Sequence, residues 1–362
     1  MLRNFVFLIF CLLLFGLSCE TKIKKLELYP SDYLFAQRAY PYGKVDLNAY
    51  QEGINMINSA FEKKLNGFDE AWTYRGPENI SGRVSDIEIN TDNPNIIYAG
   101  TASGGIFKSY NQGLNWEAIF DDASSLSIGD MAIDPNNPDI IYAGTGESNA
   151  GGGSIAYDGN GVYKSEDGGF NWQHLGPNKV GSIGRIAINP KDSKQIYFAA
   201  MGSLFENNPN RGIYKSINGG QNWQHILSVS DSTGGIDLVI HPENCDTIYA
   251  AMWERIRRVD NRQYGGATSN IYRSYDGGTT WSILSEGLPH SPDDKGRIGL
   301  AISKSEPNII YAYYAKADGF IQGIYKSEDH GDTWVMKSTT NINNVGFMWW
   351  FGKIFVDPSD AN

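Results

Sequence analysis

Two glutamates carry the carboxyl chemistry this sequence has to offer. Glu147 lies in Gly-Thr-Gly-Glu-Ser-Asn and Glu254 in Ala-Met-Trp-Glu-Arg-Ile-Arg-Arg. Glycoside hydrolysis needs two carboxyl groups at a defined separation, one protonated and one ionised. Asp318 is a third carboxylate on a candidate loop. The same residues also serve to structure their loops or to bind a ligand, and spacing along the chain does not choose among these roles. Three Gly-Arg pairs, Gly82-Arg83, Gly184-Arg185 and Gly296-Arg297, open apolar segments. A guanidinium grips carboxylate or phosphate with two parallel hydrogen bonds. In an acidic chain each of these arginines has the alternative of pairing with a neighbouring Asp or Glu. Trp253, Tyr264, Trp349 and Trp350 offer rings for stacking on sugars or peptide side chains, with core packing as the competing use. The five histidines show no metal-ligand spacing, and there is no nucleophile–histidine signature or phosphate loop. Neither a metal nor a cofactor is expected.

The element that positions these residues is a repeat. Ser-x-Asp-x-Gly-x-x-Trp occurs at Ser165 to Trp172, Ser274 to Trp281 and Ser327 to Trp334; copies with Asn for Asp run from Ser109 to Trp116 and Ser216 to Trp223. From Trp to Trp the five copies are 56, 51, 58 and 53 residues apart, a period that signals a repeat architecture. In each copy an aromatic, β-branched run such as Gly161-Val162-Tyr163-Lys164 meets a short run led by Trp, which predicts a hairpin. The Asp or Asn oxygen accepts backbone N–H groups within its own turn, Gly takes the left-handed conformation, and Trp buries its ring on the returning strand. Asp167 and its equivalents are therefore turn-formers and not acids.

Beside each motif lies a second pair of strands joined by a Pro turn. Examples are Asp92-Asn93-Pro94 with Ile97-Tyr98-Ala99, Asp134-Pro135 with Ile141-Tyr142-Ala143, and His241-Pro242 with Ile248-Tyr249-Ala250. A four-stranded antiparallel unit repeated about an axis predicts an all-β fold, a β-propeller of five full blades plus a partial sixth. The sixth begins at Trp350 to Pro358, and Trp72 to Pro77 reads as an outermost strand whose mates lie elsewhere, so the chain is expected to be a fragment of a larger propeller. Strand order puts the Pro turns and Ser-x-Asp turns on one face. The loops from second to third strand share the other face, where blade two has Gly146 to Asn160 and blade four Trp253 to Ser269. Long, variable loops on a rigid scaffold usually carry function, so the site is expected there.

Three segments are expected. Residues 1–19 read as an export signal: Met1-Leu2-Arg3-Asn4 and an apolar run to Gly16 too short to span a bilayer, then Gly16-Leu17-Ser18-Cys19. That last stretch resembles a lipobox, in which Cys19 would be lipidated, with plain cleavage as the alternative. Residues 20–70 form a tether and a helix over Asp46 to Lys64, with Tyr50, Ile54, Ile57 and Phe61 on one face. Residues 71–362 form the propeller. Cys245 alone would remain in the folded part, so no disulfide framework exists. A net charge of −11 argues against nucleic acid and against an anionic membrane surface, leaving a lipid anchor as the one membrane attachment.

These motifs resemble the Asp-box, or BNR-repeat, β-propellers, and the wording of the repeat is most similar to secreted bacterial proteins grouped with the sortilin N-terminal propeller and often labelled glycosyl hydrolase. The resemblance covers residues 72 to 362 and speaks for the fold; its members span sialidases, xyloglucanases, peptide receptors and an assembly factor, so function has to be argued from the site. In xyloglucanase-like members the first blade carries a catalytic Asp in Thr-Asp-x-Gly-Gly. The matching stretch is Thr101-Ala102-Ser103-Gly104-Gly105, with Ala102 at that position. The sialidase Phe/Tyr-Arg-Ile-Pro signature is absent; Tyr74-Arg75-Gly76-Pro77 is a faint echo. The resemblance implies an exported protein, secreted or held as an outer-membrane or cell-surface lipoprotein, that binds peptide or glycan on its loop face. Its alternative is a glycoside hydrolase.

Overall fold

The computed structural model describes residues 82–361, except 150–156, 204, 258–260, 338–341 and 343–345, together with residues 36, 37, 39–42, 49, 52, 53 and 56. The export signal, Cys19 and the strand expected at Trp72 to Pro77 lie outside the described residues. Within the expected helix Ala49, Glu52, Gly53 and Met56 are helical, and the four residues of its apolar face are not among those described.

Five four-stranded antiparallel sheets follow one another in chain order, each strand beside its sequence neighbour. Blade one is Val84–Ile89, Ile97–Thr101, Ile106–Ser109 and Glu117–Ala118. Blade two is Ile128–Ile133, Ile141–Thr145, Val162–Ser165 and Gln173–Gly176. Blade three is Ser182–Asn189, Asp192–Gly202, Gly212–Ser216 and Gln224–Leu227. Blade four is Thr233–Ile240, Ile248–Glu254, Ile271–Ser274 and Ser282–Leu284. Blade five is Ile298–Ile302, Ile310–Ala315, Ile321–Ser327 and Val335–Met336. The protein is a β-propeller. The first strands of successive blades lie against one another around the axis. Core clusters fill the wedges between adjacent blades: Ile128 and Met131 of blade two pack with Tyr98 and Ile106 of blade one, and the largest cluster runs from Met201 of blade three through blade four to Tyr314 of blade five.

The Ser-x-Asp turn closes as its chemistry requires. Ser165 Oγ donates to Asp167 at 2.8 Å and accepts from Gly169 N–H at 2.8 Å, while Asp167 accepts from Asn171 N–H at 2.9 Å. The other four copies repeat this pattern, as at Asp276 and Asp329. The residue after Asp is left-handed: Gly168, Gly219 and Gly277, or Gln112 and His330 at φ 60. These donors pull Asp276 down to about 2, the Thr280 hydroxyl and N–H foremost.

The turns of blades two to five are also sockets for the blade before them. Tyr98 OH and Lys108 Nζ of blade one both donate to Gly168 O of blade two, at 3.1 and 2.7 Å. Tyr197 and Lys215 do the same to Gly277 O, and Tyr249 and Arg273 to His330 O. In return the motif Trp reaches back: Trp172, Trp223 and Trp281 donate to Ile119 O, Leu175 O and Ile226 O in the preceding outer strand. The Tyr of Ile-Tyr-Ala, and the Lys or Arg before the motif Ser at Lys108, Lys215 and Arg273, are thus blade-joining residues.

Around the axis, Asp86, Asp130 and Asp237 each accept the backbone N–H of the next inner strand but for one step, at Met131, Ile186 and Leu300, 2.8 to 2.9 Å away. In blade three the same position is Arg185, which bonds Asp237 at 2.8 Å and lies 3.6 Å from Asp130. In blade five it is Gly299; a Cβ there would stand 2.1 Å from the ring of Tyr313, which fills the space. The expected start of a sixth blade differs from its expectation. Met348–Phe351 is one helical turn, and Gly352 to Asp357 forms no strand pairing among the described residues. Lys353 nevertheless meets blade one, donating to Ser85 O at 3.0 Å and to Asp86 at 3.2 Å. No helix among the described residues is long and apolar enough to cross a membrane.

Candidate functional site

The three Gly-Arg pairs do not occupy equivalent places. Gly82-Arg83 and Gly296-Arg297 precede their strands on the loop face, while Gly184-Arg185 lies inside Ser182–Asn189. Arg185 therefore belongs to the channel's charge ring. Its two aspartates hold its guanidinium firmly charged, Asp237 foremost, against the opposing effect of burial.

Arg83 and Arg297 instead meet at the mouth through one short loop. Glu147, Ser148 and Asn149 leave the second strand of blade two and run across the inner strands, with Glu147 bridged to Ile183 of blade three. Arg83 grips Glu147 through both carboxylate oxygens, at 2.7 and 2.5 Å. Glu147 is 1% exposed and Arg83 34%, and the outer face of the guanidinium lies 5.1 Å from the Trp350 ring. Two residues on, Asn149 accepts from Arg297, which also donates to Trp349 O and Trp350 O at 3.3 and 3.4 Å. Blades one, two and five and the helical turn at Met348–Phe351 are thereby tied at one point. Ala102, whose N–H donates to Arg83 O at 3.0 Å, lies buried under this knot.

Glu254 is held apart from it. Gln263 donates to one carboxylate oxygen at 2.7 Å and Thr268 to the other through its hydroxyl at 2.6 Å. Those partners come from the long loop of blade four, which carries a two-residue hairpin, Ile256–Arg257 with Arg262–Gln263. Both glutamates have both oxygens occupied by protein groups, and no contact joins the two among the described residues. Trp253, expected at a ligand surface, is instead a core residue. The second strand of blade four runs on to Glu254 because Thr233 and Gly234 continue the ladder, so the indole turns inward, fully buried, and donates to Tyr264 O at 2.8 Å.

Tyr264 stays half-buried at the surface and begins an aromatic platform. Its ring is 5.4 Å from Trp349, which is 5.4 Å from Phe347. Arg255 stacks beneath Tyr264 at 4.1 Å. Trp349 lies flat over Gly319, where a Cβ would fall 1.4 Å from the indole nitrogen, so only glycine fits. Gly346 brings Phe320 alongside. Phe347 and Phe320 are 57% and 45% exposed. Phe347 holds φ 60, the one left-handed non-glycine among the described residues outside the Ser-x-Asp turns. Such a conformation costs about 1–2 kcal/mol, and strain of this kind gathers at functional sites.

Sequence reasoning missed Asn149, Phe320 and Phe347. Asn149 was hidden because its partner Arg297 is 148 residues away. The signal for the two phenylalanines was there: bulky apolar residues flanked by glycine, Gly319-Phe320 and Gly346-Phe347, in segments outside the repeat.

A family model described as Sortilin, neurotensin receptor 3 matches residues 160–319. Among curated proteins, a probable oligoxyloglucan-reducing end-specific xyloglucanase of Neosartorya fischeri is 22% identical, over 85% of this chain and 40% of its own. A xyloglucanase of Hypocrea jecorina is 24% identical, over 54% of this chain and 25% of its own. The chain thus spans less than half the length of these relatives. Among solved structures, an ancestral GH74 enzyme superposes with TM-score 0.60 at 22% identity, over 81% of this chain and 35% of that one. A GH74 enzyme of Niastella koreensis gives 0.53 at 20% identity, over 77% and 43%. At such identities the likeness speaks to the fold, a sortilin-like β-propeller.

Proposed function

We propose that this propeller is exported and binds an extended peptide or glycan chain on its loop face, along the aromatic platform beside the Arg83–Glu147–Asn149–Arg297 knot. The observation that carries this reading is the row of rings at Tyr264, Trp349, Phe347 and Phe320, partly open to solvent although a soluble surface gains nothing from them. Stacking rings supply contact area at little conformational cost, and a rigid knot alongside keeps them in register. The binding test is a panel of oligosaccharides and peptides titrated against the full chain and a Phe320→Ala/Phe347→Ala variant. Binding that the variant weakens about tenfold supports the reading; binding that it leaves intact overturns it.

A second reading, a glycoside hydrolase, draws on the names of the two curated relatives. It is the weaker one for this chain. General acid and base need carboxyl oxygens free to meet substrate, and those of Glu147 and Glu254 are engaged by Arg83, Gln263 and Thr268. Release of reducing ends from xyloglucan, abolished by Glu147→Gln or Glu254→Gln, would decide for hydrolysis; the expected result is no release.

A further inference from the structure

A groove of about 580 Å³ between the outer parts of blades one and two plays no part in the loop-face reading. One wall is aromatic. Trp172 stands edge-on to Phe120 at 5.0 Å, its indole N–H held by Ile119 O. The polar wall is fixed by its own hydrogen bonds. Asn160 donates to Ser124 and to Tyr163, both at 2.7 Å, and His174 Nε2 meets Asn160 O at 2.7 Å. A wall so braced does not reorganise when a ligand arrives, which preserves affinity.

Two features of the rim point to what enters. Phe170 is 71% exposed, with Lys108 Nζ 5.1 Å from its ring, and it is the one aromatic residue at this turn position: its counterparts in blades one, three, four and five are Leu114, Gln221, Thr279 and Asp332. No Lys or Arg lines the groove, and its exposed polar residues are the acceptors Asp121 and Asp122, the amides of Asn171 and Asn178, and His174, whose Nε2 is taken by Asn160 O. A phosphate or carboxylate would meet two lining carboxylates and no lining lysine or arginine. A molecule carrying many hydroxyl donors and one apolar ring face does find partners, and the volume falls in the range of ordinary ligand sites.

We propose that this groove is a binding site for a neutral oligosaccharide. One pyranose ring lays its C–H face on Phe170, its hydroxyls donate to Asp121 and Asp122, and Asn178 supplies an amide contact. The site is separate from the aromatic platform and does not depend on it.

Saturation-transfer NMR and calorimetric titration of the full chain with cellohexaose, mannohexaose, N-acetylchitohexaose and hexalysine test this. At least one sugar is expected to bind, about tenfold more weakly to Phe170→Ala and to Asp121→Asn/Asp122→Asn, and unchanged to Phe320→Ala/Phe347→Ala. The groove side chains are exposed, so an unshifted thermal midpoint shows that these variants stay folded. Three results overturn the proposal: no sugar binds; sugar binding ignores the groove variants; or hexalysine binds through the groove while the sugars do not. Loss of sugar binding in the platform variant alone would leave the loop-face reading standing and remove this one.

Discussion

At the scale of single residues, Arg83 and Glu147 show how a candidate acid becomes a structural one. A carboxylate 1% exposed is tolerated because a guanidinium meets both of its oxygens. Arg83→Gln would leave that charge buried without its partner. The expected loss is about 2–3 kcal/mol by urea unfolding, less than for a wholly buried pair because Arg83 reaches solvent. Arg83→Met/Glu147→Leu should recover most of it. A single mutant as stable as the parent would show that the pair does not anchor the mouth. The sequence supplied both residues and the chemistry of their types. It could not supply their pairing, since 64 positions separate them and only the closing of blade two against blade one brings them together. Trp253 was misplaced for a similar reason: whether a ring at a strand end turns in or out depends on the partner strand, here Thr233 and Gly234.

At the scale of the element, the repeat is a set of mutual donations between blades. Tyr197→Phe removes one hydrogen bond to Gly277 O and leaves the ring in place, so an expected loss of about 1 kcal/mol isolates that clamp. Tyr249→Phe should cost a similar ~1 kcal/mol at His330 O. Unchanged urea midpoints in both would mean that apolar packing alone joins the blades. This level was the most legible in the sequence. Turn residues, strand periodicity and the Trp spacing are local signals, and they placed all five blades. The start of a sixth was misjudged where the local signal was weakest: Met348 to Phe351 is all apolar, which suits a buried strand and a buried helical turn equally.

At the scale of the whole molecule, the axis collects charges from every side. Asp86, Glu88, Asp130 and Asp237 face Arg185 and Lys353, four carboxyl groups against two cations. Burial, then the neighbouring Asp86 and Asp130, pushes Glu88 up to about 8, with Arg185 and Lys353 pulling the other way. Burial likewise raises Asp130. Between its ordinary 4.5 and about 8, Glu88 keeps a proton in the folded chain that the unfolded chain has lost. Its contribution is therefore fully present below 4.5 and is lost as pH rises to about 8, by up to ~1.4 kcal/mol per pH unit. Glu88→Gln should flatten that slope and raise stability at pH 8; an identical slope in the variant would place the titration elsewhere. None of this was readable beforehand, because the cluster exists only once the inner strands of four blades and Lys353 come together at the axis.

The loop face stands opposite the turns, and its aromatic platform is the claim on which the functional account rests. The direct measurement is affinity selection from a peptide library and a glycan array, repeated with Phe320→Ala/Phe347→Ala and with the turn-face variant Leu114→Ala/Trp116→Ala. The account predicts ligands that the platform variant loses by about tenfold or more and that the turn-face variant keeps. Ligands kept by the platform variant and lost by the turn-face variant would contradict it.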